Sequence, residues 1–305
     1  MRVTARAPVR VDFAGAWTDV PAFSDPFGGA TLNAAITYYV EGSLRATEEE
    51  GQATGEGAGL ALHYESRIPA GSGLGTSATL NVVWLALVRR EPPASYEDRM
   101  HIAELAFDIE RVLGIVGGRQ DQYASAVGGI NLFEFGPDGV QRQAVNMPPA
   151  ALEALQRQMV VIYTGKPRLS SNIHRHVWEN FRRGNRETVD ALFTLRNSAY
   201  QGKEFMEKWD PEQFGKLLTL QFESAKQLHP STSNAEMEAL FADAAPLIWG
   251  GKPCGAGGGG CVLFLARDDR CREQLARALT QRGLPPLDCR VDFEGLKLEL
   301  CAETP

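Results

Sequence analysis

Apolar and polar residues alternate from the first positions of the chain. In "VTARAPVRVDFAG" they do so with the period of two that marks a half-buried strand. The pattern breaks at "AWTDVPAFSDPFGG", whose Pro, Gly and Asp residues predict a loop. "ATLNAAITYYVEGSLRAT" and "LALHYES" predict two further strands. "EEEGQATGEGAG" between them predicts a solvated, hairpin-like connection with a mobile tip. The apolar spacing then becomes helical. It predicts one helix from about Ala78 to Val88, a second over "YEDRMHIAELAFDIERVLG" and a third beginning in "GGRQDQYASAVGG". "INLFEF" returns to strand. Strands and helices mix without regular βαβ alternation, which predicts the α+β class.

Composition shifts near "NMPPAALEAL", and this places a domain boundary near residue 155, giving domains 1–155 and 156–305. "QMVVIYTG" is a buried strand by its β-branched run, and residues 170–245 are mostly helical. Strand "GCVLFLA", helix "DRCREQLARALTQRG" and strands "PLDCRVDF" and "GLKLELC" complete a second α+β layered domain. No internal repeat is visible.

The 305 residues suffice for one large or two medium domains, and 44% hydrophobic with 23% charged residues is ordinary for a globular protein. A formal net charge of -7 argues against nucleic acid or an anionic membrane as partner, though not against a small anionic ligand, which answers to a local field. The five cysteines (Cys254, Cys261, Cys271, Cys289 and Cys301) are odd in number and form no CxxC pair, so a zinc ribbon is not expected. The start does not read as a signal peptide, and no apolar run reaches the roughly 18 residues of a membrane span. The expectation is a cytoplasmic protein with reduced thiols.

Three segments carry candidate chemistry. In "PAGSGLGTSA", glycines precede a helix, so backbone N–H groups and the helix dipole can cradle an anion. The Thr76 and Ser77 hydroxyls can meet a phosphate or its Mg²⁺. No lysine precedes them, so this is not a Walker A loop. Alone, the segment reads equally as a tight turn capped by a serine. In "FDIERVLGIVGGRQDQYASA", Gly117 and Gly118 allow a reversal that turns Glu110 and Asp121 toward one pocket, unless both are surface acids. Such a pair can orient or deprotonate a hydroxyl and hold Mg²⁺. In "GGKPCGAGGGGCVLFLA", Gly255, Gly257 and Gly260 match G-x-G-x-x-G, but a strand follows the glycines instead of preceding them. That order rejects a dinucleotide site and suits a loop packed on another backbone or on a phosphate chain. In "YTGKPRLSSNIHRH", Lys166, Arg168, Asn172 and His174 either reach a substrate or form a solvated helix start.

Together and in this order, "RAPVRVDFAGAWTD", "PAGSGLGTSA" and "CGAGGGGCVLF" resemble the three motifs of the GHMP kinase superfamily. The resemblance spans essentially the whole chain. It implies an N-terminal domain like domain 2 of ribosomal protein S5 and a ferredoxin-like C-terminal α/β-sandwich domain. "FAGAWTDVPAFSDPFGGATLN" is similar to the L-fucokinases, and "GGRQDQYASAVGGINLFEF" and "VIYTGKPRLS" to the D-glycero-D-manno-heptose 7-phosphate kinases. These are sugar 1-kinases, so the resemblance implies ATP and Mg²⁺ as cofactors and a sugar or sugar phosphate as acceptor, in a monomer or homodimer.

By matching position, the resemblance makes Asp121 the catalytic aspartate beside the sugar hydroxyl and Arg10 its basic partner. It implies that Gly71, Ser72, Gly73, Leu74, Gly75, Thr76 and Ser77 bind the ATP phosphates, and that Ser77 and Glu110 hold Mg²⁺. Trp17, Asp19, Gly28, Gly29, Asn33, Tyr163 and Arg168 are the implied substrate residues, and Gly255, Gly257, Gly258 and Gly259 a structural glycine motif beside the site. Thr76 stands where the family often has serine. Ala16-Trp17-Thr18-Asp19 replaces the Glu-His-Thr-Asp of galactokinases, which turns the reading away from galactose. A kinase for a mevalonate- or homoserine-like alcohol is disfavoured by the sugar-like "WTD". A non-catalytic sugar-binding homologue is disfavoured by the presence of Asp121, Ser77 and Glu110.

Overall fold

The computed structural model describes residues 2–47, 59–69, 71–166 and 171–301. The first sheet is built on β1 (Arg2–Ala14) and the long β2 (Gly29–Thr47), paired antiparallel along most of their length. The far half of β2 pairs with β3 (Gly59–Ser66), and its near half with β4 (Ile130–Gly136), which pairs with β5 (Gly139–Ala144). The predicted mobile tip, residues 48–58, lies outside the described residues. Helices α2 (Thr76–Arg89), α3 (Tyr96–Val112) and α4 (Gln120–Val127) connect β3 to β4.

The second half opens with α5 (Pro149–Gln158), within which the expected boundary near 155 falls. A smaller sheet follows, ordered β6 (Met159–Tyr163), β8 (Cys261–Ala266), β7 (Ile248–Pro253). Around it lie α6 (Ser171–Arg182), α7 (Arg186–Lys208), α8 (Pro211–Leu228), α9 (Ala235–Ala244) and α10 (Asp269–Gln281). The last strand, β9 (Lys297–Cys301), leaves this half and pairs with Arg2–Arg6 of β1.

The burial pattern of β1 follows from this packing. Alternation holds over Arg2–Arg6 and gives way to continuous burial from Ala7, because α2 and α4 of the first half and α7 and α8 of the second all pack against the strand. Its register with β2 shifts at Pro8/Val9 and at Asp12/Ala14. Such irregularities re-aim side chains, and these two bracket Arg10. One hydrophobic cluster runs through both sheets, from Val3 and Val11 to Leu263 and Leu298.

Several elements depart from the pattern. The segment expected as loop contains α1 (Pro21–Phe27), a short helix held by Phe23, whose ring centroid lies 5.2 Å from that of Phe193 and 5.7 Å from that of Phe181. β5 carries almost no apolar period, being largely exposed. β7 replaces an expected glycine loop because Gly250 passes against Gly215 of α8; a Cβ there would sit 1.8 Å from the Gly215 carbonyl oxygen. "PLDCRVDF" is not a strand and makes two isolated bridges, Pro286 to Ile162 and Val291 to Ile36.

Candidate active site

The phosphate-type loop is shaped by three glycines at positive φ: Gly71 (79°), Gly73 (83°) and Gly75 (77°). The buried Ser72 hydroxyl accepts from Leu74 N (3.3 Å) and lies 3.2 Å from Thr76 Oγ1. The loop is gripped from two directions. Arg10 donates its backbone N–H to the Leu74 carbonyl (3.0 Å) and its Nη1 to the Gly73 carbonyl (2.6 Å), while Cys261 N donates to the Ser72 carbonyl (2.6 Å). Beyond Gly75 the chain enters α2, leaving its first N–H groups at the positive end of the helix dipole.

The acids gather around the first turn of α4. Asp121 accepts from Arg10 Nε (2.8 Å) and pairs with Nη2 (2.5 Å), keeping 27% of its side chain exposed. Glu110, buried on α3, accepts from Asn81 Nδ2 (2.9 Å) and Gln122 Nε2 (3.0 Å). Asp19 accepts from Gln120 N (3.0 Å). Burial pushes the Glu110 carboxyl up to about 7, helped by the Asp121 charge, and pushes Asp19 up to about 6.

These two carboxyls act in the same direction on the pH dependence of stability in the ligand-free protein. Raised carboxyl values mean that at these groups the fold binds protons more tightly than the unfolded chain, so their contribution to stability falls as pH rises through the window from about 4 to about 7. Thermal melts in Mg-free buffer should show Tm falling less, or rising more, across this range once Glu110 is neutralised. In Glu110→Gln the difference should lie in the upper part of the range; an unchanged slope in that variant would refute the assignment.

Arg10, Trp17, Asp19, Glu110, Asp121 and His174 all line one cavity of about 180 Å³. Trp17 sits at φ 81° with its ring centroid 4.5 Å from that of His174, and the two rings form an aromatic part of the lining. The phosphate-type loop abuts this cavity: a Cβ on Gly75 would lie 3.0 Å from the Asp121 carboxyl carbon. Ser77 is exposed on the first turn of α2, outside the cavity lining. It precedes Asn81 by one turn on the same helix face, and Asn81 bonds Glu110. A hydroxyl and a carboxylate on one side of a phosphate cradle are hard oxygen donors, a set that fits Mg²⁺.

The remaining implied substrate residues fall elsewhere. Gly28 and Gly29 line a separate groove of about 290 Å³ with Glu134 and Tyr200, and a Cβ on Gly29 would meet the Thr18 carbonyl at 1.9 Å. Asn33 is buried in β2 with its Nδ2 3.5 Å from Gln120 Oε1, a support behind the site. Tyr163 ends β6 opposite Cys261. None of these four lines the cavity, and Arg168 lies outside the described residues. In the glycine motif, Gly255 lines the cavity, while Gly257 and Gly258 pack on the turn at 230–232, with Gly258 N donating to the Thr232 carbonyl (2.7 Å). Sequence reading missed Asn81 and Gln122, whose side-chain amides orient Glu110, Gln120, whose backbone N–H holds Asp19, and the buried pair Asp12 and Lys252. For Gln120 and Gln122 the signal was their place beside Asp121; Lys252 offered none.

A glycine-rich loop opening a helix beside a cluster of carboxylates is an arrangement able to cradle a phosphate next to an acceptor. The GHMP kinases N terminal domain matches residues 38–129 and the GHMP kinases C terminal domain residues 203–284, together more than half of the chain. The chain belongs to the GHMP kinases. It is 28% identical to the D-glycero-alpha-D-manno-heptose 7-phosphate kinase of Campylobacter jejuni, over 97% of this chain and 98% of that one. It is 27% identical to the bifunctional fucokinase/GDP-fucose pyrophosphorylase of Arabidopsis thaliana over 92% of its length, and spans about a third (31%) of that larger protein. The fold matches the crystal structure of a D-glycero-D-manno-heptose 1-phosphate kinase from Bacteriodes thetaiotaomicron with a TM-score of 0.76 at 24% identity, covering 99% of this chain and 100% of that one. No described helix is long and apolar enough to cross a membrane.

Proposed function

We propose that the chain is a sugar kinase that transfers the γ-phosphoryl group of ATP to the anomeric C1 hydroxyl of a hexose, heptose or heptose 7-phosphate. The observation that carries this reading is the place of Asp121, which meets the phosphate-type loop at Gly75 on one side and the cavity holding Trp17 and Asp19 on the other. Phosphoryl transfer depends mainly on positioning and charge. Loop N–H groups from Gly71 to Thr76 and the start of α2 hold the β- and γ-phosphates. Ser77 and Glu110 are the residues that would hold Mg²⁺, which would supply charge neutralisation at the phosphates. Asp19 accepts from sugar hydroxyls, and Trp17 offers its face to the apolar side of the ring. Asp121, held by Arg10, orients the C1 hydroxyl and takes its proton; an anomeric hydroxyl is more acidic than an ordinary alcohol, so a weak base suffices.

The test is a screen of free and phosphorylated sugars, with mevalonate and homoserine alongside, for ADP release with Mg-ATP, followed by NMR of the product. A phosphate at C1 is the expected result. ADP release with mevalonate or homoserine alone would sink the sugar reading, and none with any acceptor would leave a binding protein.

A further inference from the structure

Asp12 is completely buried beside the site, yet the mechanism above gives it no part. It follows Arg10 by two residues, so both project from the same face of β1. Its carboxylate accepts from Gly255 N (2.9 Å) and from the ammonium of Lys252, which also donates to the Asp12 carbonyl (2.8 Å). Arg10 Nη1 stands 3.9 Å from the same Oδ1 that Gly255 holds. Asp121, Arg10, Asp12 and Lys252 thus form a line of alternating charge; Arg10 and Lys252 are each only 4% exposed. The line crosses from the first sheet to β7 of the second half.

The guanidinium in this line sits between two carboxylates. Asp121 holds it at 2.5 Å and Asp12 lies at 3.9 Å. In a buried setting both attractions are strong and weakly screened, so the two acids compete for one cation. Lys252 satisfies Asp12 and removes the competition. Resting on the kinase reading above, we infer that Asp12 and Lys252 are positioning residues for the reaction: Lys252 neutralises Asp12 and thereby leaves Arg10 to Asp121 and to the Gly73 carbonyl. Without the ammonium, the nearest cation to Asp12 is Arg10, and a shift of about an ångström toward it loosens both contacts; misplacement on this scale costs about 10- to 100-fold in rate. The same carboxylate holds Gly255, so it also ties the glycine motif to the base of the site.

The experiment compares Lys252→Met with the double variant Asp12→Asn/Lys252→Met, using the acceptor found in the screen. Each variant is measured for kcat, for KM of sugar and ATP, and for Tm. The single variant should lose about tenfold or more in kcat with sugar KM within about twofold. The double variant, in which no competing carboxylate remains, should regain at least fivefold over the single. A purely structural tie would lower Tm in both variants and give no such recovery. Full kcat in the single variant, or a double variant no faster than the single, overturns the inference while leaving the kinase reading intact. A wild-type chain that phosphorylates no acceptor defeats that reading, and the inference with it. Should Lys252→Met not fold, Lys252→Gln replaces it in both arms, removing the charge but keeping a donor for Asp12.

Discussion

Asp121→Asn is expected to lower kcat by roughly 100- to 10,000-fold while ATP affinity stays within about threefold of wild type. The amide is nearly isosteric, and its oxygen can still accept from Arg10 Nε, the 2.8 Å contact of the parent side chain. It has no charge and cannot take a proton from a sugar hydroxyl. Phosphate binding rests on the loop and the start of α2, which the substitution does not touch. Steady-state kinetics and calorimetric titration of Mg-ATP separate the two effects. Unchanged kcat would remove Asp121 from the chemistry; loss of ATP binding with kcat retained would make it part of the nucleotide site.

A second large effect is expected at Gly73. Its φ of 83° disfavours any side chain, and a Cβ would meet the Cys254 carbonyl oxygen at 2.4 Å and its carbon at 3.0 Å. Both are backbone atoms, so no rotamer relieves the clash, and the loop must leave either Cys254 or Arg10 Nη1, which its own carbonyl accepts at 2.6 Å. Gly73→Ala should destabilise the protein by about 2–4 kcal/mol and raise KM for ATP by about tenfold or more. Gly114→Ala is the control: φ is 73°, but nothing lies within 4 Å of its Cβ, so only the conformational cost of about 1–2 kcal/mol remains. Equal Tm losses in the two variants would show that the contact with Cys254 is not what demands glycine.

What was legible in the chain was local. Alternation in β1 and β2 and helical spacing in α2 and α3 are properties of one segment, and so is a glycine run opening a helix. The meeting of Glu110, Asp121, Arg10, Asp19 and Trp17 was legible because each lies in a motif that resembles a known family. The misses depend on distant partners. Phe23 makes α1 a helix because Phe181 and Phe193 receive it from the other half. β7 is a strand because its glycines clear Gly215. Gly28 and Gly29 sit in the same segment as Trp17 and Asp19, but they follow α1 and line a separate groove with Glu134 and Tyr200. Lys252 and Asp12 are far apart along the chain, and neither carries a local mark of the other.

The return of β9 to β1 has a consequence for synthesis. β1 is made long before β9, and among the described residues its Arg2–Arg6 edge is closed by Lys297–Cys301. At ribosomal speeds of about 5–20 residues per second, that edge waits roughly 15 to 60 seconds for its last neighbour. Throughout that interval the growing chain presents an open strand edge, whose N–H and C=O groups invite pairing with any other nascent copy. Arg2 and Arg6 place charge along this edge, a means by which an unfinished sheet discourages the wrong partner.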